Sequence, residues 1–139
     1  MLAEENKAYV RRALERFNEG DLNAYLELYH PDAVLHDLGI EPGFDNIRRF
    51  YQGYVAAFPD GHVAIEDLVA EGDKVTCRYT FTGTHQGSLM GIPPTGKRVS
   101  INGITILRFA GGRCVERWTQ VDFLGLMQQL GVIPAPEHV

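Results

Sequence analysis

The sequence predicts an α+β fold, with helices covering one side of a curved antiparallel sheet and a cone-shaped hollow between them. Three observations predict it. Apolar residues recur at i, i+3/i+4 spacing as far as Phe58. From His62 onward the period drops to two, and turn residues separate the runs. Helices in one block followed by strands in another is the order of α+β rather than of alternating βα units.

The first helix is marked by Tyr9, Val10, Ala13, Leu14 and Phe17, and Gly20 is placed to end it. Asp21 reads as the N-cap of a short second helix through Leu22, Tyr25, Leu26 and Tyr29, stopped by Pro31 and Asp32. Ala33 to Asp37 reads as a short strand, and Gly39 to Gly43 as a loop. A third helix follows from Phe44 through Ile47, Tyr51, Tyr54 and Phe58, closed by Pro59-Asp60-Gly61. His62–Ala70 and Lys74–Gly83 read as strands joined at Glu71-Gly72-Asp73. In the second, Val75, Cys77, Tyr79 and Phe81 point one way. Thr84 to Lys97, with three Gly and two Pro, is a long connection. Arg98–Phe109 and Cys114–Val121 are the last strands, and Phe123 to Leu130 is a short helical turn. Gly131 and two prolines argue against helix in the tail, which also holds His138.

Composition narrows the function. At 139 residues and 45% hydrophobic, one domain spanning 1–139 can bury a real core. Thirteen basic against eighteen acidic residues, net −5, argue against a nucleic-acid binder. No apolar run approaches the ~18–20 residues of a membrane span. Acids at Glu4 and Glu5 stand where a signal peptide carries bases, so a cytoplasmic protein is expected. Two cysteines make neither a disulfide framework nor a zinc site. No metal-ligand spacing, nucleophile elbow or phosphate loop occurs, so neither metal nor cofactor is expected.

Chemistry must then come from a pocket. Cys114, Glu116, Trp118, Gln120 and Asp122 share one parity along the last strand. On one reading Asp122 is an exposed carboxylate, or the N-cap of the turn at Phe123. On the other, Trp118, Gln120 and Asp122 face the hollow, where a carboxyl beside an indole has a raised pKa and exchanges protons near neutrality. His36, inside an apolar strand, is either a satisfied core or rim residue or a pocket group. His85, between glycines at a strand end, fits a pocket rim or a solvated loop equally. His30 and His62 read as surface residues. Arg78 and Arg108 stand in otherwise apolar or Thr-rich strands. Either lies on the solvent face or, facing the hollow, holds a substrate carboxylate or enolate oxygen. Cys77 and Cys114 are core fillers. The helix aromatics are mostly core; Tyr51 and Phe58 are the candidates for lining the cavity.

These residues also carry a resemblance. Gly20-Asp21-Leu22, Tyr29-His30-Pro31-Asp32-Ala33-Val34, Phe58-Pro59-Asp60, Glu71-Gly72-Asp73-Lys74-Val75, Gly83-Thr84-His85-Gln86-Gly87, Gly91-Ile92-Pro93-Pro94-Thr95-Gly96-Lys97, Gly112-Arg113-Cys114-Val115-Glu116-Arg117-Trp118 with Asp122, and Gln129-Leu130-Gly131 together resemble the SnoaL-like polyketide cyclases. The resemblance implies a nuclear-transport-factor-2-like fold and a cofactor-free intramolecular aldol ring closure on a polyketide ester. An Asp near the end of the last strand is the acid/base in such enzymes, and Asp122 matches it. His36 and His85 match positions often held by His, and Arg108 or a neighbour stands where a second pocket histidine is expected. The fold also hosts isomerases, epoxide hydrolases with an Asp-Arg-Asp set (here Asp122, Arg78 or Arg108, and Asp37), and non-catalytic binding or dimerisation modules. A homodimer is expected from apolar positions such as Val115 and Val121 on the outer sheet face.

Overall fold

The computed structural model describes residues 2–134; His138 and Pro136 lie outside the described residues. The element order is α1 (Leu2–Asn18), α2 (Leu22–Leu26), β1 (Tyr29–Leu35), α3 (Phe44–Ala57), β2 (His62–Glu71), β3 (Lys74–Thr84), β4 (Arg98–Ala110), β5 (Arg113–Val121) and α4 (Phe123–Leu130). Five strands form one sheet in the order β1-β5-β4-β3-β2. The strands from β2 to β5 are an antiparallel meander, as the sequence predicts. The edge differs. Tyr29 begins β1 rather than ending α2, and β1 runs parallel to β5. Pro31 and Asp32 stop a helix, but an edge strand tolerates a proline that cannot donate to a ladder.

Each helix ends where its sequence punctuates it. Asp21 caps α2 by accepting from the Ala24 N–H at 3.1 Å. Gly20 turns the chain out of α1 at φ +84°, a left-handed conformation that favours glycine. The helices lie on the inner face of the sheet, burying Val10 and Ala13 from α1 and Ile47 and Tyr51 from α3. On that face β4 presents Val99, Ile101, Thr105, Leu107 and Phe109, all buried, while Ile104 and Ile106 point outward. Past the end of β5, α4 stays on the sheet through Gln129. Its side chain accepts from the Ser100 N–H at 2.7 Å and donates to the Ser100 carbonyl at 2.9 Å, replacing a strand in the ladder.

Two irregularities aim the side chains. Glu66 is an extra residue between the β2–β3 pairs Ile65/Tyr79 and Asp67/Arg78. Val115 is the extra residue in β5. Cys114 pairs with Phe109 and Glu116 with Arg108, leaving Val115 unpaired. A bulge of one residue flips every later side chain to the opposite face.

Candidate functional site

The bulge at Val115 decides which residues meet the hollow. Cys114 is buried inside the sheet, but beyond the bulge the inward residues are Arg117, Thr119 and Val121, and these line the cavity. The expectation that Trp118, Gln120 and Asp122 face the hollow is corrected, because it extended the parity of Cys114 along an unbroken strand. The same bulge moves Val121 from the outer face to the inner one.

The cavity measures about 310 Å³. Aromatic and aliphatic groups make most of its wall, among them Phe17, Phe50, Tyr54, Phe81 and Leu126. Leu89 and Met90, from the connection after β3, join the wall there. Tyr79 crosses the position paired with Gly103, where a Cβ would come within 2.5 Å of its ring. That glycine makes room for the ring.

The polar part of the wall centres on Arg117. Its Nε donates to Thr105 Oγ1 at 2.6 Å. Its Nη1 donates to the hydroxyls of Tyr25 at 3.1 Å, Tyr51 at 2.7 Å and Tyr29. Tyr29 also shares hydrogen bonds with Tyr25 and with Tyr51, each 2.7 Å. The three tyrosines come from α2, β1 and α3, so the cluster ties the helical layer to the sheet edge. Thr105 donates onward to the Trp118 carbonyl at 2.9 Å and neighbours Thr119 Oγ1 at 3.2 Å. Burying a guanidinium costs on the order of several kcal/mol. The three N–H groups of Nε and Nη1, shared among these four acceptors and worth roughly 1.5–3 kcal/mol per donated proton, offset that cost.

Among the described residues no carboxylate pairs with Arg117, and the cavity wall holds neither a carboxylate nor an imidazole. Burial opposes the charge of Arg117 and the tyrosine oxygens around it favour that charge, so the guanidinium stays protonated. Burial raises Tyr29 well above its usual range, against the pull of Arg117, and Tyr51 and Tyr54 are raised chiefly by burial too. These hydroxyls are therefore neutral, and among the described residues Arg117 is the one full charge on the wall.

The residues singled out from the sequence fall into three places. Tyr51 is the one that lines the cavity and joins its polar cluster. On the outer face, His36 stacks on Trp118 with ring centroids 5.2 Å apart, and its Nε2 lies 2.8 Å from Glu116 Oε2. Arg108 Nε donates to Glu116 Oε1 at 3.0 Å, and Gln120 is exposed nearby. His36 and Arg108, by these hydrogen bonds, hold the Glu116 carboxyl below its ordinary value. Arg78 pairs with Asp67 at 2.7 Å, also outside. His85 is sealed in the protein at 0% exposure, against Phe58. Its Nδ1 accepts from the Thr95 N–H at 3.2 Å and lies 3.0 Å from Thr95 Oγ1. It fastens the connection from 86 to 97. Phe58 is buried at 1% exposure and borders a smaller hollow beside Asp60 and His62.

Asp122 caps α4, Oδ1 accepting from the Gly125 N–H at 2.8 Å. Its side chain is exposed, yet its two chain neighbours, Val121 and Phe123, line the cavity. Arg117, Tyr25, Tyr29 and Tyr79 are functional candidates that sequence reasoning missed. The available signal was Arg117 itself, a charge alternating with Thr119 and Val121 in a strand whose other face ends in Gln and Asp.

An apolar hollow between a bent sheet and its helices is the architecture of the nuclear-transport-factor-2-like fold. The SnoaL-like polyketide cyclase family description matches residues 8–130, and the chain belongs to that family. It is 29% identical over 135 residues to the aklanonic acid methyl ester cyclase DnrD of Streptomyces peucetius, covering 92% of each chain. It is 31% identical over 120 residues to the nogalonic acid methyl ester cyclase of Streptomyces nogalater, covering 83% of this chain and 89% of that one. Among solved structures it is similar to AclR of Streptomyces galilaeus, a candidate hydroxylase. The identity there is 33%, the TM-score 0.88, and the coverage 97% of this chain and 86% of the other.

Proposed function

We propose that the protein closes a ring in a polyketide-type ester by a cofactor-free intramolecular aldol reaction inside the cavity. The observation that carries this reading is the cavity itself, an aromatic-walled hollow with a single cluster of donors, in a chain related to ester cyclases. A base removes the acidic proton between two carbonyls, and the enolate carbon attacks a ketone of the same molecule. The resulting alkoxide then takes up a proton. The product is an isomer of the substrate, so no co-reactant is required. Donors held in a dry wall favour the step because they lie ready where oxyanion charge develops.

Asp122 is the proposed acid/base. It is the carboxylate whose chain neighbours line the cavity, and its role requires the substrate to reach the cavity mouth beside Val121 and Phe123. The test is turnover of a linear polyketide methyl ester by the wild type and Asp122→Asn, with product mass recorded. A new ring at unchanged mass, lost at least about 100-fold in the variant, supports the reading. Undiminished turnover in Asp122→Asn removes Asp122 from the mechanism. A second reading, binding without turnover, is favoured by the lack of a carboxylate or imidazole among the described wall residues. It predicts uptake with no chemical change. A gain of one oxygen would instead align the chain with the hydroxylase description of AclR.

A further inference from the structure

We infer that the cavity recognises its ligand as an anion: a planar molecule whose two adjacent oxygens share one delocalised negative charge, received on Arg117. The inference deepens the cavity reading above and rests on it. Three observations carry it.

The first is charge balance. Arg117 is the one full charge on the described wall, and the groups around it are hydroxyls rather than carboxylates. Hydrogen bonds offset much of its desolvation, but hydroxyls supply no countercharge. A ligand anion does.

The second is the count of donors. A guanidinium has five N–H groups. The bonds to Thr105 and the three tyrosines use Nε and Nη1, so Nη2 faces at most the Tyr79 hydroxyl, which also contacts the guanidinium and itself lines the cavity. Arg117 keeps part of its surface accessible, and it lines the cavity. The tyrosines add one donor more. Their three O–H protons serve two hydroxyl–hydroxyl bonds, Tyr25 to Tyr29 and Tyr29 to Tyr51, and one O–H is left over. Nη2 and that hydroxyl together suit two neighbouring oxygens.

The third is the wall around them. Tyr51 and Tyr29 stack 5.8 Å apart, and Tyr54 and Phe81 meet edge to face at 5.0 Å. Apolar surroundings strengthen an ion pair with a fixed cation and suit a flat, apolar body. The enolate or phenolate of a β-dicarbonyl fused to a ring has this chemistry, as does an aromatic carboxylate. The cation would lower the pKa of a bound β-dicarbonyl, so the cavity would favour the form that ring closure needs.

The experiment compares three probes on the wild-type protein: 2-naphthoate, its neutral isostere 2-naphthamide, and 1-hydroxy-2-acetonaphthone, whose absorbance reports ionisation. Calorimetry gives the first two affinities at pH 7. Naphthoate binding about tenfold or more tighter than the amide, or the bound hydroxyketone ionising about one pH unit or more below its free value, supports the inference. Which arm responds separates carboxylate from enolate. Arg117→Met is expected to abolish the preference and Arg117→Lys to retain part of it, and circular dichroism checks the fold of both. If the amide binds as tightly as the acid and the hydroxyketone does not shift, the inference is overturned while the cavity remains the binding site. If no probe binds at all, the inference and the cavity reading fall together. A strong anion preference without ring closure supports the inference and discards the cyclase.

Discussion

At Asp122 structure and chemistry compete for one carboxylate. As the N-cap of α4 it holds the Gly125 N–H, and asparagine caps almost as well as aspartate whereas alanine does not. Asp122→Ala is therefore expected to cost about 0.5–2 kcal/mol in urea unfolding, and Asp122→Asn only a few tenths. A rate loss in the asparagine variant then reports chemistry rather than a frayed helix. Glu116 makes a pH prediction. Its carboxyl, held below the ordinary value of 4.5 by His36 and Arg108, is charged in the folded state where the unfolded chain already begins to take up a proton. A depressed pKa contributes stability above the unfolded value, lost as pH falls through the folded one. The melting temperature should thus fall below pH 4.5, and Glu116→Gln should flatten that part of the profile.

At the scale of elements, β4 and β5 build the site floor, and their glycine and bulge have separate tasks. Gly103 leaves space for Tyr79, and Gly103→Ala would press a methyl into that ring. Overpacking of this kind costs typically about 1–3 kcal/mol. The variant is expected to unfold at lower urea and to bind cavity ligands more weakly, checked by denaturation and calorimetry on one sample. An unchanged affinity would mean that Tyr79 does not shape the floor. The Val115 bulge turns Arg117 inward, while Glu116 and Trp118 face out with His36 and Arg108. The connection from 86 to 97 is joined to α3 by the Gln86 and Gly87 N–H groups, which donate to the Ala57 carbonyl at 2.9 and 3.2 Å. His85 then binds Thr95 farther along it, so this histidine acts on the wall through the chain that carries Leu89 and Met90.

For the whole molecule, the outer sheet face matters most. Ile104 is 49% exposed, Ile106 36% and Val69 61%, beside the His36–Trp118 stack. Exposed apolar residues on one sheet face favour association. We propose a homodimer through it, on residues other than the Val115 and Val121 first expected. Sedimentation should give twice the monomer mass at micromolar concentration, and Ile104→Lys should return it to the monomer. A monomeric wild type would refute this. The described helices include none long and apolar enough to cross a membrane.

Sequence alone determined the element order, the strand alternation of β3 and the family, because these depend on local periodicity, on caps such as Asp21, and on short runs such as Gly91-Ile92-Pro93-Pro94-Thr95-Gly96. It also reached Tyr51 as a wall residue. The tertiary structure decided the site. One unpaired residue, Val115, reverses the facing of β5, and nothing in Cys114-Val115-Glu116-Arg117 marks it, since a bulge is defined by the partner strand. β4 hid its facing too, with Ile104 and Ile106 outside and Thr105 inside. The gathering of Tyr25, Tyr29 and Tyr51 on Arg117 spans up to 92 positions. Only the packing of three elements on one strand brings Arg117 and neutral hydroxyls to the floor of an apolar hollow.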